Sequence, residues 1–451
     1  MDEEGTATDT DAKRPAGGVV RPRARVVVPR RRVGLFDAFR IRSFRFQWPA
    51  DGLTIWAFEM ETLVLGWYIL EATDRPALVG LIGALRFGGT LFGPLYGVLA
   101  DRFNRRRLLI ADRALLAALA LVLTALALSG SLRPWHAFLL AALTGIGRNL
   151  DNVVRQALLA DVIPPRTLAN ALALNRSVMD MSRMAGALLG GSLLAALGIG
   201  EAYVGVCFLY LGSSLLSTGI SLRQAADRVV VAGWLSNLRE GAAYIRRDEA
   251  MVAPLALAFL VNLTLFPTVN GLMPVVAREV FDKGPNGLAL LQVAAGLGAL
   301  MGSMSLAGFN RSARPARVMV LNIALWHVSV AGFALVGWWW AALAVLVVFG
   351  ATQSFAMITM ATGLLRAAPV EFRGRVMGVR SLAVYGLPIG LLVGGFTAEQ
   401  FGVRTALLIN GCVGLVATGA AVLKWPGLLR APRRDRAVGS AEAGSAADGR
   451  R

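Results

Sequence analysis

The chain alternates long apolar stretches with short polar ones. Each apolar stretch runs for about 20 residues, the length that an α-helix needs to cross a bilayer. They fall into two sets of six, on either side of a polar connection at residues 223–251. The predicted spans, numbered as segments 1 to 12, are 47–70, 77–100, 107–129, 134–157, 168–197, 202–222, 252–277, 286–308, 316–337, 340–365, 374–398 and 403–424. The pattern predicts an all-α membrane protein with twelve transmembrane helices.

Polar stretches flank and join the two sets. Both ends of the chain are rich in arginine and small residues, a composition that predicts disorder. No apolar core follows the N-terminal Met, so a cleaved signal peptide is not expected. Residues 35–46 are expected to form an amphipathic lead-in along the membrane surface, and helical apolar spacing in the connection predicts a surface helix. The predicted divisions are a tail at 1–34, a six-helix half at 35–222, a linker at 223–251, a second half at 252–424 and a tail at 425–451.

Basic residues concentrate in the loops on one side of the predicted bundle. These loops contain Arg102, Arg105, Arg106, Arg107, Arg166, Arg223, Arg228, Arg239, Arg246, Arg247, Arg311, Arg314, Arg373 and Arg375. The opposite loops contain only Arg75, Arg133, Arg278, Lys283 and Arg404. Cytoplasmic loops of membrane proteins carry the excess of basic residues. The pattern therefore predicts that both termini are cytoplasmic, in a bacterial inner membrane.

Composition excludes several other classes of protein. The chain is 56% hydrophobic and 16% charged with a net charge of +18, whereas soluble domains carry about 25% charged residues. Because the arginines lie in short loops between spans, they indicate topology and not nucleic-acid binding. Cys207 and Cys412 both lie in apolar segments, so no disulfide or metal motif follows. Without a Walker-type loop or a nucleophile triad, neither an enzyme nor a cofactor is expected, beyond the use of a proton gradient.

One loop carries a distinctive motif, Gly-Val-Leu-Ala-Asp-Arg-Phe-Asn-Arg-Arg-Arg at residues 97–107. A glycine lets two helices approach closely, and the arginines must face water. A basic hairpin turn without further function gives the same spacing. The stretch also resembles the loop between helices 2 and 3 of the major facilitator superfamily, Gly-x-x-x-Asp-Arg-x-Gly-Arg-Arg, with Asn104 in place of glycine. That resemblance implies a cytoplasmic gate formed by Gly97, Asp101, Arg102, Arg105 and Arg106.

The two halves repeat one another. Residues 165–191 align with residues 369–395 at a constant offset of 204, so that Gly190-Gly191 matches Gly394-Gly395. Parallel six-helix repeats around a central cavity are the expected architecture of this superfamily. Three further stretches, residues 39–45, 67–74 and 371–378, resemble the branch that includes the enterobactin exporter. The resemblance implies export of a small molecule without naming it.

Charged residues inside a membrane helix usually have a partner or a function. In segment 1, Glu59 and Glu61 lie near mid-depth, and Arg86 lies at a comparable depth in segment 2. A pair between Glu61 and Arg86 is expected, which leaves Glu59 as the preferred proton carrier. The alternative is that this pair is structural and that Glu59 faces water in an outer cavity.

Segments 4 and 5 contain a second group of charges. Arg148, Asp151 and Arg155 share one helix face, and so do Asp180 and Arg183, with Arg176 one turn earlier. The two sets are expected to compensate one another between the helices. Cavity charges are therefore predicted at Arg86, Arg148, Asp151, Asp180 and Arg183. The alternative for Arg155 and Arg176 is an ion network on the cytoplasmic side that locks the two halves in one state.

The second half has no carboxylate at mid-depth, so ion coupling is expected in the first half. Polar residues of the second half that could contact a substrate are Asn262, Asn270, Gln353 and Tyr385. His327 is interpreted as a packed polar residue. The tryptophans at 338–340 are interpreted as an interfacial belt at the outer surface.

The expected function is secondary active export of a small amphipathic compound, such as a drug or a siderophore-like metabolite, in exchange for protons. Alternating access of the two halves around a central site is the expected mechanism. A lysophospholipid or lipid facilitator is the first alternative, and a membrane scaffold or sensor without transport is the second. The expected partners are the substrate, protons and lipid, with no nucleic acid, and a monomer is expected.

Overall fold

The computed structural model describes residues 37–221, 234–246, 248–308, 315–369 and 372–429. The predicted tail at 1–34, the loop arginines Arg223, Arg228, Arg247, Arg311 and Arg314, and the chain after residue 429 lie outside the described residues.

Seven helices make up the first half. After a 3₁₀ turn at Asp37–Arg40, they are α1 (Arg42–Thr73), α2 (Pro76–Gly88), α3 (Gly93–Arg102), α4 (Arg105–Leu128), α5 (Pro134–Val162), α6 (Pro165–Leu197) and α7 (Ile199–Ser217). A 3₁₀ turn at Gly89–Phe92 separates α2 from α3. Because α1 already begins at Arg42, the amphipathic lead-in predicted for residues 35–46 is shorter than expected.

The second half begins after the linker helix α8 (Trp234–Ile245). Its helices are α9 (Glu249–Thr264), α10 (Met273–Val275), α11 (Pro285–Gly308), α12 (Pro315–Leu335), α13 (Trp339–Ala367), α14 (Arg373–Ser381), α15 (Gly386–Phe401) and α16 (Val403–Lys424). Two π-helical turns, Thr268–Leu272 and Val276–Val280, flank α10. A final 3₁₀ turn at Pro426–Leu429 buries Leu428, so the order predicted to end at residue 424 extends slightly further.

Each predicted segment corresponds to a helix or a broken helix. Within the described ranges, nine helical stretches are long and apolar enough to cross a membrane, and the pair of helices in segment 2, bent by 55°, brings the number to ten. The two remaining segments correspond to α5 and α6, which are long enough at 29 and 33 residues. Their polar residues lower the apolar content, because both helices carry several of the charges described below.

The two halves pack their helices in the same way. In the first half α1 contacts α6, α2 contacts α5 and α4 contacts α7; the corresponding pairs in the second half are α9 with α15, α11 with α13 and α12 with α16. The halves meet along two lines, α2 against α15 and α6 against α11. The predicted repeat is therefore present in the helix packing.

Glycines make the contact between halves possible. A Cβ atom on Gly395 of α15 would lie 2.9 Å from Gly80 Cα of α2, and one on Gly191 of α6 would lie 2.7 Å from Ala289 Cβ of α11. These positions are repeat equivalents, since Gly191 and Gly395 differ by the offset of 204. Small residues allow helix backbones to approach closely, so each half uses the same glycine to contact the other.

Ion pairs reinforce this contact at the mouth opposite the arginine-rich loops, which we call the outer mouth. Asp74, at the end of α1, pairs with Arg278 of the second half. The next residue, Arg75, pairs with Glu399 of α15 at 2.9 Å, and Glu399 also accepts a hydrogen bond from the Ala77 backbone N–H at the start of α2. The outer mouth is therefore held closed.

We expect Gly395→Leu to open the outer mouth, because its side chain would displace the α2 backbone at Gly80. Overpacking of this kind costs about 1–3 kcal/mol. Distances between spin labels placed across the outer mouth should lengthen in this variant. The control is Gly419→Leu, since a Cβ atom there meets nothing within 4 Å. Equal distances in both variants would contradict the role of Gly395 in closure.

Candidate functional site: charged clusters of the first half

A buried arginine holds the first half together. Arg113 of α4 donates hydrogen bonds from Nη2 to Asp51 Oδ1 of α1 at 2.7 Å and from Nε to Asp151 Oδ1 of α5 at 2.7 Å. Its Nη1 donates to Ser217 Oγ of α7 at 2.8 Å. The side chains of Arg113, Asp51 and Asp151 are fully buried. One guanidinium thus ties four helices to one another.

Two further arginines surround the same carboxylates. Asp151 Oδ2 lies 3.6 Å from Arg155 Nε and 3.5 Å from Arg148 Nη1, and Arg155 Nη1 lies 4.0 Å from Asp51 Oδ2. Asp112 of α4 is buried nearby. The carboxylates of Asp51 and Asp151 are thus shared by three guanidinium groups, as expected where charge is removed from water.

A second buried pair lies nearer the C-terminal end of α1. Arg86 Nη2 of α2 lies 3.7 Å from Glu61 Oε2, and Tyr210 of α7 donates a hydrogen bond to that oxygen at 3.0 Å. Arg86 Nη2 also donates to the Phe58 carbonyl at 3.1 Å, and its guanidinium lies over the Phe58 ring. The predicted pairing of Glu61 with Arg86 is present, in a position closed to water.

The third cluster is partly exposed, whereas the first two are buried. Arg183 Nε of α6 lies 3.4 Å from Glu59 Oε1 of α1, and Arg183 Nη1 lies 3.8 Å from Asp180 Oδ1. Asp180 Oδ2 in turn lies 3.0 Å from Arg176 Nε. The exposed fractions are 23% for Glu59, 18% for Asp180, 48% for Arg183 and 64% for Arg176. Because charges that face hydrocarbon are strongly unfavourable, we infer that these four residues, which we call the cavity ladder, face a water-filled cavity between the halves.

These positions correct several predictions. Arg86 and Asp151 were predicted as cavity charges, but both are buried inside the first half, and Arg148 is largely buried against Phe58. The charges of α5 and α6 do not mainly compensate one another; α5 pairs with α4, and Arg183 pairs with α1. Glu59 lies beside Arg183 while the ion pairs of the outer mouth are formed.

The predicted gate contains a three-residue ion cluster. Arg105 Nη2 lies 2.9 Å from Asp101 Oδ1, and Arg105 Nη1 lies 3.0 Å from Asp161 Oδ2 at the end of α5. Arg106 donates a hydrogen bond to the Thr218 carbonyl after α7, whereas Arg102 is exposed. The loop is thus tied to two helices of its own half.

Two residues of the motif behave differently from the expectation. Gly97 does not mediate a close approach of helices, since a Cβ atom there would meet nothing within 4 Å. Asn104 adopts φ −66°, so no left-handed residue is needed; its side chain caps α4 by accepting hydrogen bonds from the backbone N–H groups of Arg106 and Arg107. Asn is a favoured N-cap residue, which accounts for its presence here.

Polar side chains of the second half form hydrogen bonds to the backbone of their own helices. The side-chain amides of Asn262 and Asn270 donate to the carbonyls of Ala258 and Phe266, one turn earlier in each helix. Gln353 and Tyr385 are partly buried. His327 contacts Thr264 at 3.0 Å and is fully buried, as predicted for a packed residue. Across the described ranges, no group of three His, Cys, Asp or Glu side chains is placed to hold a metal ion.

Sequence reasoning missed the centre of the buried network. Asp51 in segment 1, Asp112 and Arg113 in segment 3, and Asp161 at the end of α5 were not singled out. A signal was present, because a charge in any apolar segment requires a partner. The sequence does not show which residue is the partner, because the partners lie on helices that are far apart in the chain.

Comparisons with known proteins agree with this architecture. The family model for transmembrane secretion effectors matches residues 33–436. Macrolide efflux protein A of Streptococcus pyogenes is 21% identical over 390 residues, which cover 82% of this chain and 95% of that protein. The enterobactin exporter EntS of Salmonella typhi is 26% identical over 381 residues, which cover 80% of this chain and 86% of the exporter.

Solved structures share the fold. A bacterial homolog of the human lysosomal transporter Spinster, in an inward-facing and unoccupied conformation, has a TM-score of 0.70 at 14% identity and covers 87% of this chain and 99% of its own. The nucleoside transporter NupG has a TM-score of 0.69 at 15% identity, and the match covers 84% of this chain and 98% of the NupG chain. These structures show the fold, and the family model identifies the chain as a secondary transporter of the major facilitator superfamily, which is not a class of enzymes.

Within that superfamily, the chain belongs to the family of transmembrane secretion effectors. The superfamily inferred from the motif at residues 97–107 is thereby confirmed. The resemblance to the branch of the enterobactin exporter is confirmed as a distant homology.

We expect Arg113→Gln to destabilise the protein strongly, because it leaves two buried carboxylates without their main partner. Breaking a buried pair costs about 3–5 kcal/mol. The free energy of unfolding in detergent, measured by denaturant titration, should fall by that amount. Arg107→Gln, which removes an exposed arginine at the start of the same helix, serves as the control. A comparable loss in both variants would refute the central role of Arg113.

Proposed function

We propose that the protein exports small amphipathic compounds in exchange for protons by alternating access. The observation that carries this proposal is the state of Glu59: it is a mid-depth carboxylate that is partly exposed to the cavity and held by one partly exposed arginine. Asp51, Glu61 and Asp151 are buried among several partners and cannot exchange with water in the same way. A proton carrier must be accessible to water from each side of the membrane in turn. The partial exposure of Glu59 provides access from one side.

The direction of transport is inferred from the relatives. Two of the curated relatives are named as a macrolide efflux protein and as an enterobactin exporter. Their names support export of an organic compound. The likeness to the solved transporters supports the fold alone.

The cycle follows from the contacts between halves. The ion pairs Asp74–Arg278 and Arg75–Glu399 close the outer mouth. The residues of the cavity ladder would then be reached from the arginine-rich side. Rocking of the two halves would break these pairs and bring the loop at 97–107 against the second half. The ion cluster of Asp101, Arg105 and Asp161 would then hold the loop in the shape that closes the cytoplasmic side.

A lipid facilitator is the second candidate. On α6, Met184 packs against Gly296 of α11, but Met181, one turn nearer the arginine-rich side, is exposed beside the cavity ladder. A polar strip next to apolar surface could carry a head group while the acyl chain stays in the bilayer. This candidate requires no proton flux, which separates it from the first.

We expect Glu59→Gln to abolish compound-driven proton flux. Proteoliposomes with a pH-sensitive dye inside would be offered lipophilic cations, siderophores and lysolipids in turn. Wild-type flux triggered by one compound and lost in the variant supports exchange. Glu71→Gln, on the exposed end of the same helix, should retain the flux. Compound movement without proton flux would favour the lipid facilitator, and no movement of any compound would favour the scaffold or sensor.

We expect Asp101→Asn to lower transport several-fold at unchanged abundance in the membrane, because Arg105 loses one of its two carboxylates. Exposed ion pairs contribute about 0.2–1 kcal/mol, too little to unfold the protein but enough to shift a balance between two states. The measurement is initial transport rate per molecule, with Asp282→Asn in an exposed loop as control. Equal rates for wild type and Asp101→Asn would remove the loop from the gate.

A further inference from the structure

Arg183 lies between two carboxylates from different helices. Its Nε faces Glu59 of α1 at 3.4 Å, and its Nη1 faces Asp180 of α6 at 3.8 Å. Asp180 uses its other oxygen, Oδ2, for Arg176 at 3.0 Å. Arg183 therefore has a second carboxylate within reach, and that carboxylate is already oriented towards it.

This arrangement decides what happens when Glu59 loses its charge or takes another partner. A guanidinium left alone in a partly desolvated cavity is unfavourable. With Asp180 one turn away on the same helix, Arg183 keeps an anionic partner, and Arg176 keeps Asp180 Oδ2. Glu59 can thus lose its contact with Arg183 while both arginines remain paired with Asp180.

We propose that Asp180 is a positioning residue that releases Glu59 from Arg183, so that Glu59 binds in turn a proton and a cationic group on an apolar substrate. This inference rests on the proposed function and names the substrate class for the same site. Because proton and cation compete for one carboxylate, the binding of one displaces the other, which is the requirement for exchange.

The ladder favours a cation over an anion for a related reason. An anionic group bound to Arg183 would leave Glu59 without its arginine, since Arg176 is paired with Asp180. A cationic group bound to Glu59 leaves Arg183 and Arg176 to share Asp180, whose two carboxylate oxygens already face them. Among the described residues, Arg148 of α5 is a further charged group within electrostatic range of Glu59. Arg86 of α2 and Tyr210 of α7 contact Glu61, on the same helix as Glu59.

The test measures equilibrium binding to the purified full chain in detergent, without a gradient. The probes are tetraphenylphosphonium and tetraphenylborate, which share a shape and differ in sign. We expect saturable binding of the phosphonium, several-fold tighter than that of the borate. Asp180→Asn should weaken phosphonium binding about fivefold, equivalent to about 1 kcal/mol, because Arg183 then holds Glu59.

Two further variants separate positioning from a structural role. Asp180→Glu should restore phosphonium binding to within about twofold of wild type. The double variant Asp180→Asn/Arg183→Gln should also recover, because the arginine that would trap Glu59 is gone. If Asp180 only stabilises α6, the double variant binds no better than the single one, and the proposal fails. Asp282→Asn, in an exposed loop, should bind as wild type.

The outcomes keep this proposal apart from the proposed function. Tighter borate binding, or no saturable phosphonium binding, overturns the substrate class. Absence of compound-driven proton flux in wild-type proteoliposomes overturns proton exchange, even where the order of binding among the Asp180 variants holds. Proton flux together with equal binding by Asp180→Asn and wild type overturns the role of Asp180 alone.

Discussion

A guanidinium inside a bilayer needs a partner, and the first half of this transporter is arranged around meeting that need for Arg113. Its hydrogen bonds reach Asp51, Asp151 and Ser217, which lie on three helices other than its own. Since each unpaired buried charge would be strongly unfavourable, these contacts hold the four helices to one another. A rigid half is what alternating access requires, because rocking transmits motion only if the halves do not deform.

The same chemistry gives a different result where water enters. The buried network and the cavity ladder are both built from Asp, Glu and Arg, yet the network has several partners for each carboxylate and the ladder has few. Burial makes partners obligatory, whereas partial exposure lets water replace a partner at low cost. Charges of identical type are therefore tightly paired in the buried network and partly exposed in the cavity ladder.

Gly191 and Gly395 lie where the two halves approach each other closely on the side of the outer mouth. They place the two halves in close contact on the outer side, and the ion pairs of Asp74 and Arg75 add to that contact. Ion pairs near the surface contribute little each, so the proposed cycle requires only weak contacts to break at the outer mouth. The repeat ensures that the two lines of contact resemble each other.

Much of this architecture was predictable from the sequence. The number and order of helical segments follow from apolar runs of spanning length, the repeat follows from a constant offset, and the superfamily follows from residues 97–107. The pair of Glu61 and Arg86 was predictable as well, because both lie at the same depth in consecutive segments. Local pattern and depth are properties of one segment or of two neighbours, and these the sequence by itself determined. Only the tertiary structure decided which charges meet across distant segments: that Arg113 joins Asp51 to Asp151, that Arg183 faces Glu59, and that Gly97 faces open space. Those contacts depend on the rotation of each helix about its axis and on which helices are neighbours, and the packing of the whole bundle sets both.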